Sequence, residues 1–259
     1  MKSDQPGAPD FVLEASNLTK NFKGFMAVND VSIRVRKGSI HALIGPNGAG
    51  KTTTFNLLTK FIQPTSGTIR FMGQDITGED PADIARRGLV RSFQISAVFP
   101  HMTALENVRV AVQKRHGDWF NFLLSKKRNS QYDDEAWRLL KSVGLDNWAS
   151  HLASDLSYGR KRTLELATTL ALEPQVLLLD EPMAGMAHED IARVADIIRE
   201  IARTRTIVMV EHNLSVVSTL CHWITVLARG SVLAEGDYQT VAADERVIEA
   251  YIGTSPAHA

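Results

Sequence analysis

The sequence predicts an α/β protein built on a largely parallel sheet with helices on both faces, and three observations predict it. Short apolar runs such as 176–179 and 206–210 alternate with longer stretches of helical periodicity, a glycine-rich turn joins one such run to a helix, and 259 residues suffice for one large domain or two modest ones. Hydrophobic residues make up 44% and charged residues 22%, which excludes a disordered or collagen-like chain. Lys and Arg number 29 against 29 Asp and Glu, so no bulk charge draws the protein to nucleic acid or anionic lipid.

Each element follows in order. Val31, Ile33 and Val35 alternate with Ser32, Arg34 and Arg36, the pattern of a half-buried antiparallel strand. Residues 39–44 read as a more buried strand. After the glycine-rich turn comes a helix with Phe55, Leu58 and Phe61 on related faces. Between 94 and 154 the pattern turns helical, with Trp119, Phe120, Phe122, Trp137 and Trp148 and a basic run at Lys126, Lys127 and Arg128 that reads as a solvated face. Then come a helix over 158–172, a strand at 176–179, a helix over 189–203 and a strand at 206–210. A helix over 214–220 and a strand at 223–228 close the alternation. Cys221 is the only cysteine, so an intramolecular disulfide and a zinc–thiolate cluster are excluded, and a reducing compartment fits. Residues 1–10 and 254–259 read as flexible tails, the first without the apolar stretch of a secretory signal. No apolar run approaches the roughly 20 residues that cross a bilayer.

Three motifs carry chemistry. Residues 45–52 fit G-x-x-x-x-G-K-[S/T] without mismatch. Gly45, Pro46, Asn47, Gly48, Ala49 and Gly50 would turn backbone N–H groups around phosphate oxygens, continuing through Thr53. Lys51 would reach the terminal phosphates, and Thr52 would offer its hydroxyl to Mg²⁺. The run 176–179 ends in Asp180 and Glu181, two carboxylates that strand direction brings beside the phosphate loop: Asp180 for the metal, Glu181 toward an attacking water. Leu156-Ser157-Tyr158-Gly159-Arg160 opens a helix, where the Ser157 hydroxyl and the Gly159 N–H make a second anion site; Ser157 equally suits the helix cap.

Together these motifs resemble the ATP-binding subunit of ABC transporters over about 11–253. Residues 45–52 match the Walker A of that family, 176–180 its Walker B and 156–160 its signature. Gln94 matches the Q-loop glutamine and His212 the switch histidine. The resemblance implies a P-loop NTPase fold with a mixed or parallel sheet core, an antiparallel β subdomain, and a helical subdomain inserted at 95–155. It implies ATP and Mg²⁺ as cofactors, with Gln94 as a further metal ligand that senses the membrane partner, Glu181 as general base and His212 as a catalytic partner. Phe22 sits where the family stacks an aromatic on adenine, with Phe25 as the competitor. Two subunits, identical or similar, would sandwich two ATP molecules, the Walker A of one facing Ser157 and Gly159 of the other.

Departures from the common pattern point to a subfamily. Tyr158 and Arg160 replace the usual glycine and glutamine, and a Tyr-Gly signature resembles the branched-chain amino acid uptake type. The stretches 45–58, 93–107, 181–186 and 247–253 agree with it. Ala187 stands where the D-loop usually carries Asp or Asn, which bears on communication between two sites. The resemblance thus implies a peripheral ATPase on the cytoplasmic side of the inner or plasma membrane, serving permease subunits and, indirectly, a periplasmic solute-binding protein. Other cargoes, namely urea or amides for uptake and lipopolysaccharide for export, use similar subunits. A soluble ABC ATPase of DNA repair, translation or iron–sulfur assembly fits less well, since the charge is balanced and only one Walker A is present. A binding-only module is disfavoured by Lys51, Asp180, Glu181 and His212 together.

Overall fold

The computed structural model describes residues 11–92, 98–117 and 132–252. Gln94, Trp119, Phe120, Phe122 and the basic run at 126–128 lie outside them.

Two sheets organise the chain. The first is antiparallel, in the order β2-β1-β4-β5, from β1 (Phe11–Phe22), β2 (Phe25–Arg36), β4 (Ser66–Phe71) and β5 (Gln74–Asp75). The β1–β2 hairpin turns at Lys23 and Gly24, both with positive φ (48° and 102°), the two-residue geometry whose twist matches the strands it joins. Val31, Ile33 and Val35 are buried while their neighbours are exposed, as their alternation predicts.

The second sheet has the order β10-β9-β3-β8-β7-β6, from β3 (Ile40–Ile44), β6 (Leu89–Ser92), β7 (Val176–Asp180), β8 (Thr206–Val210), β9 (Trp223–Ala228) and β10 (Ser231–Gly236). Strands β6, β7, β8, β3 and β9 are parallel; β10 departs from the expected alternation as an antiparallel edge, returning directly from β9. Its central strands are buried on both faces, which is why they read as continuous apolar runs. Leu177, Leu179, Ile207 and Met209 enter one core, and Val176, Leu178, Val208 and Val210 enter the other.

The second of these cores is shared with the antiparallel sheet, α1 (Lys51–Leu58) and α2 (Pro81–Arg86). The first core takes in α3 (Ala104–Arg115), α4 (Asp133–Ser142), α5 (Tyr158–Leu170), α6 (His188–Ala202) and α7 (Leu214–Leu220). Near the C-terminus, α8 (Tyr238–Ala242) and α9 (Glu245–Ile252) add Val241 and Val247 to it. A reciprocal capping box between Thr103 and Glu106 starts α3, satisfying two backbone donors at its first turn. One expected element is corrected: α1 stops at Leu58, so Phe61 does not extend its buried face. Lys60 takes a positive φ of 61°, the chain turns, and the Phe61 ring ends half-exposed beside Arg91.

Candidate active site

Register brings the motif residues to one sheet edge. Leu43 of β3 pairs with Val210 of β8, and Val210 pairs with Asp180 of β7, so three adjacent strands finish level with one another. At about 4.8 Å per strand, the segments after Ile44 and Asp180 emerge about 10 Å apart. The residues following them, 45–53, Glu181 and 211–213, therefore cluster beyond the carboxyl ends of parallel strands, where open α/β sheets bind ligands.

The loop at 45–50 is shaped by backbone as much as by side chain. Gly45, Gly48 and Gly50 have φ of 148°, 77° and 97°. A Cβ on Gly45 would lie 2.1 Å from the Leu227 carbonyl oxygen, and one on Gly50 would lie 2.7 Å from that of Ala27, whereas Gly48 faces open space. The first and last glycines thus let the loop pack closely on the backbones of β9 and β2, and the middle one leaves room for a ligand. Ala49 is buried and Asn47 exposed. The Lys51 ammonium donates to the carbonyls of Gly45 at 2.7 Å and Pro46 at 3.0 Å, folding the side chain back over the loop. Burial pulls its pKa down, against the charge of nearby Glu181. Thr52 is exposed at the mouth and Thr53 half-buried.

Asp180 is buried, on the face of β7 that looks toward α1. Glu181 follows with a positive φ of 45°, a left-handed residue that turns the chain sharply off the strand end. The His212 Nδ1 lies 4.0 Å from Glu181 Oε1, with the imidazole largely exposed. Phe22 and Phe25 both sit at the exposed end of the β1–β2 hairpin, and the Lys20 ammonium lies 5.1 Å from the centre of the Phe22 ring.

Ser157 caps α5, its Oγ accepting from the Arg160 N–H at 3.5 Å. Gly159 is buried where its backbone meets the Asp190 carboxyl group, 2.5 Å from the position a Cβ would take. The Tyr158 ring lies against Gly185, so the signature segment and the turn after Glu181 are in contact within one chain. These residues belong to a different face from the loop at 45–53: their helix packs in the first core, α1 in the second.

Comparison with known proteins decides the family. A family model described as ABC transporter matches residues 28–184, and one described as branched-chain amino acid ATP-binding cassette transporter matches 231–257. The high-affinity branched-chain amino acid transport ATP-binding protein BraF of Pseudomonas aeruginosa is 38% identical over 251 residues, 93% of this chain and 98% of BraF. The chain belongs to the ABC transporter ATP-binding family. LivG of Escherichia coli, of the same description, is 37% identical to this cassette over 93% of the chain and 98% of its own length. Among solved structures, the ADP conformation of MJ1267, an ATP-binding cassette of an ABC transporter, matches with a TM-score of 0.81 at 29% identity, covering 94% of this chain and 99% of that one. The cassette is therefore a nucleotide-binding ATPase with the ABC fold.

Several polar residues of the cassette's site escaped motif reading. Glu211 is buried, and its carboxylate accepts the backbone N–H groups of Met183 at 3.2 Å, His212 at 3.1 Å and Asn213 at 3.3 Å. It ties the turn after Glu181 to the segment bearing His212. Burial raises its pKa, and the three N–H donors oppose that rise. Arg162 and Glu165 form a buried ion pair at 2.8 Å on α5, bordering a recess that Ser92, Asp180 and Pro182 also line. The available signal was an acidic or basic residue inside an apolar stretch, a position a charge occupies only when it is paired.

Proposed function

We propose that this cassette hydrolyses MgATP and, as a peripheral subunit on the cytoplasmic side of the membrane, drives uptake of branched-chain amino acids through permease partners. The observation that carries the chemistry is the gathering of Lys51, Thr52, Asp180, Glu181 and His212 beyond one sheet edge. The cargo rests on the match of residues 231–257 to the branched-chain amino acid cassette model and on the BraF and LivG relatives. No helix among the described residues is long and apolar enough to cross a membrane, and permease partners supply the translocation path. A periplasmic solute-binding protein would deliver cargo to them.

The donor set fits Mg²⁺ arriving with phosphates. Among the described residues no group of three His, Cys, Asp or Glu side chains could cage an ion, whereas the exposed Thr52 hydroxyl and the Asp180 carboxylate supply the sparse protein share such a cation takes beside phosphate oxygens. When bound, Mg²⁺ neutralises charge on the phosphates. Lys51 exchanges the carbonyls of Gly45 and Pro46 for phosphate oxygens, and the backbone N–H groups of 45–53 complete the cradle. Glu181 accepts a proton from the attacking water, and His212 contacts the terminal phosphate beside it. Gln94, outside the described residues, is assigned the remaining metal contact and the link to the permease. Phe22 stacks on adenine.

Ser157 and Gly159 act on the nucleotide of a second cassette, identical or similar, because their helix packs on the opposite face of the sheet from α1. The decisive experiment is ATP turnover by the assembled transporter. Glu181→Gln is expected to lower it by roughly 10²–10⁴ with nucleotide binding retained, and Lys51→Ala to weaken nucleotide binding itself. Unchanged hydrolysis in either variant would remove the assigned chemistry.

A further inference from the structure

Arg91 lies on β6, an element as short as four residues, yet its side chain is only 11% exposed. It pairs in register with Leu178 and so shares the face turned toward α1. There one guanidinium nitrogen donates to Asp180 Oδ2 at 2.5 Å and the other to Asn56 Oδ1 at 2.5 Å. The guanidinium carbon lies 5.2 Å from the centre of the Phe55 ring and 5.4 Å from that of Phe61. Two aromatic rings thus hold the plane of the group, and its fixed fork sends one arm to β7 and the other to the helix that begins with Lys51 and Thr52. This contact accounts for Phe61, which α1 does not include and the core does not cover. Stability alone does not call for such a residue, because well-packed apolar side chains hold a fold at least as well as a buried ion pair.

We propose that Arg91 is a positioning residue of the nucleotide site: it sets the Asp180 carboxylate and ties it through Asn56 to the helix carrying Lys51 and Thr52. The inference rests on the reading of Asp180 as the carboxylate that meets the metal. Arg91 engages Oδ2, and among the described residues no hydrogen bond occupies Oδ1, which is left for the cation's shell. Without Arg91, the carboxylate keeps its charge but loses its orientation and its tie through Asn56 to α1. An asparagine could not supply two separated donors in a plane, and a lysine would supply charge without the fork.

The test uses the full chain with ADP, which is not consumed, and Mn²⁺ as the probe, with free metal read from its electron paramagnetic resonance signal. Arg91→Met is expected to raise the Mn²⁺ dissociation constant in the presence of ADP about tenfold, the scale on which residues behind a metal ligand act. ADP affinity measured in EDTA stays within about twofold, since the phosphate loop is untouched. Arg91→Lys falls between Arg91→Met and the parent, and Asn56→Ala, which cuts only the link to α1, weakens Mn²⁺ by about threefold. An unchanged Mn²⁺ constant in folded Arg91→Met overturns the proposal, and so does a parallel loss of Mn²⁺ and metal-free ADP binding. Should Arg91→Met not fold, unchanged Mn²⁺ binding in Arg91→Lys and Asn56→Ala overturns it equally. Asp180→Asn separates the two readings. If it weakens Mn²⁺ and the Arg91 variants do not, only the role of Arg91 falls; if it too has no effect, the metal assignment of Asp180 falls with it.

Discussion

His41 on β3 makes the fold acid-sensitive by a calculable amount. It is 1% exposed, and burial, helped by the charge of Arg36, holds its pKa at about 4 against an ordinary 6.5. The Thr225 hydroxyl donates to Glu235 Oε1 at 2.6 Å, so at 2.8 Å it accepts from His41 Nε2–H, which sets the neutral tautomer; among the described residues Nδ1 has no hydrogen-bond partner. The unfolded chain takes up a proton near pH 6.5 while the native imidazole stays neutral until about pH 4. Across that window the unfolded state binds more protons, so stability present above pH 6.5 is lost as the pH falls. At about 1.4 kcal/mol per pH unit the full loss is about 3 kcal/mol, of which about 2 kcal/mol is gone by pH 5. Urea unfolding of the parent and of His41→Gln at pH 7.5 and pH 5 measures it. Gln keeps a donor for Thr225 but cannot take up a proton, so the stability difference between the two proteins is expected to move in favour of the variant by about 2 kcal/mol on acidification. A difference that stays constant with pH would refute the assignment of a buried neutral imidazole.

Four further substitutions test packing and buried hydrogen bonding. Gly45→Ala drives a Cβ into the Leu227 backbone and is expected to cost about 1–3 kcal/mol, seen as a lower melting temperature. Gly159→Ala meets first the Asp190 carboxyl group, which is 28% exposed and able to swing aside, so its melting temperature should stay within about 2 °C of the parent; an equal drop in both would contradict this distinction. Glu211→Ala strands three backbone N–H groups and should lose about 2–4 kcal/mol in urea unfolding, with an unaltered midpoint as the contrary result. Leu179→Ala, at a fully buried position on β7, should lose about 2–5 kcal/mol by the same measurement.

What was legible in the sequence tracks how a residue earns its place. The strand positions 176–179 and 207–210 are buried on both faces and all apolar, so the run announces itself. The loop at 45–52 is legible for a different reason: phosphate binding needs backbone N–H groups, glycine freedom and a lysine at fixed offsets along one short segment. Strand β6 has neither property. It is four residues long, and it carries Arg91 on a face that pattern reading expects to be apolar. The edge strand β10 is half-buried along most of its length, so its period is weak, and its antiparallel sense comes from a direct return after β9. Arg91 and Glu211 share one difficulty. The partners of Arg91 are 35 and 89 positions away, and those of Glu211 include Met183, 28 positions upstream. Their meaning arises when register sets β6 beside β7 and β7 beside β8. A buried charge is therefore an unresolved term in the sequence, since burying it is unfavourable unless a partner waits there, and only the fold supplies the partner. Arg91 and Glu211 both resolve that term at the turn out of β7, where Asp180 and Glu181 stand.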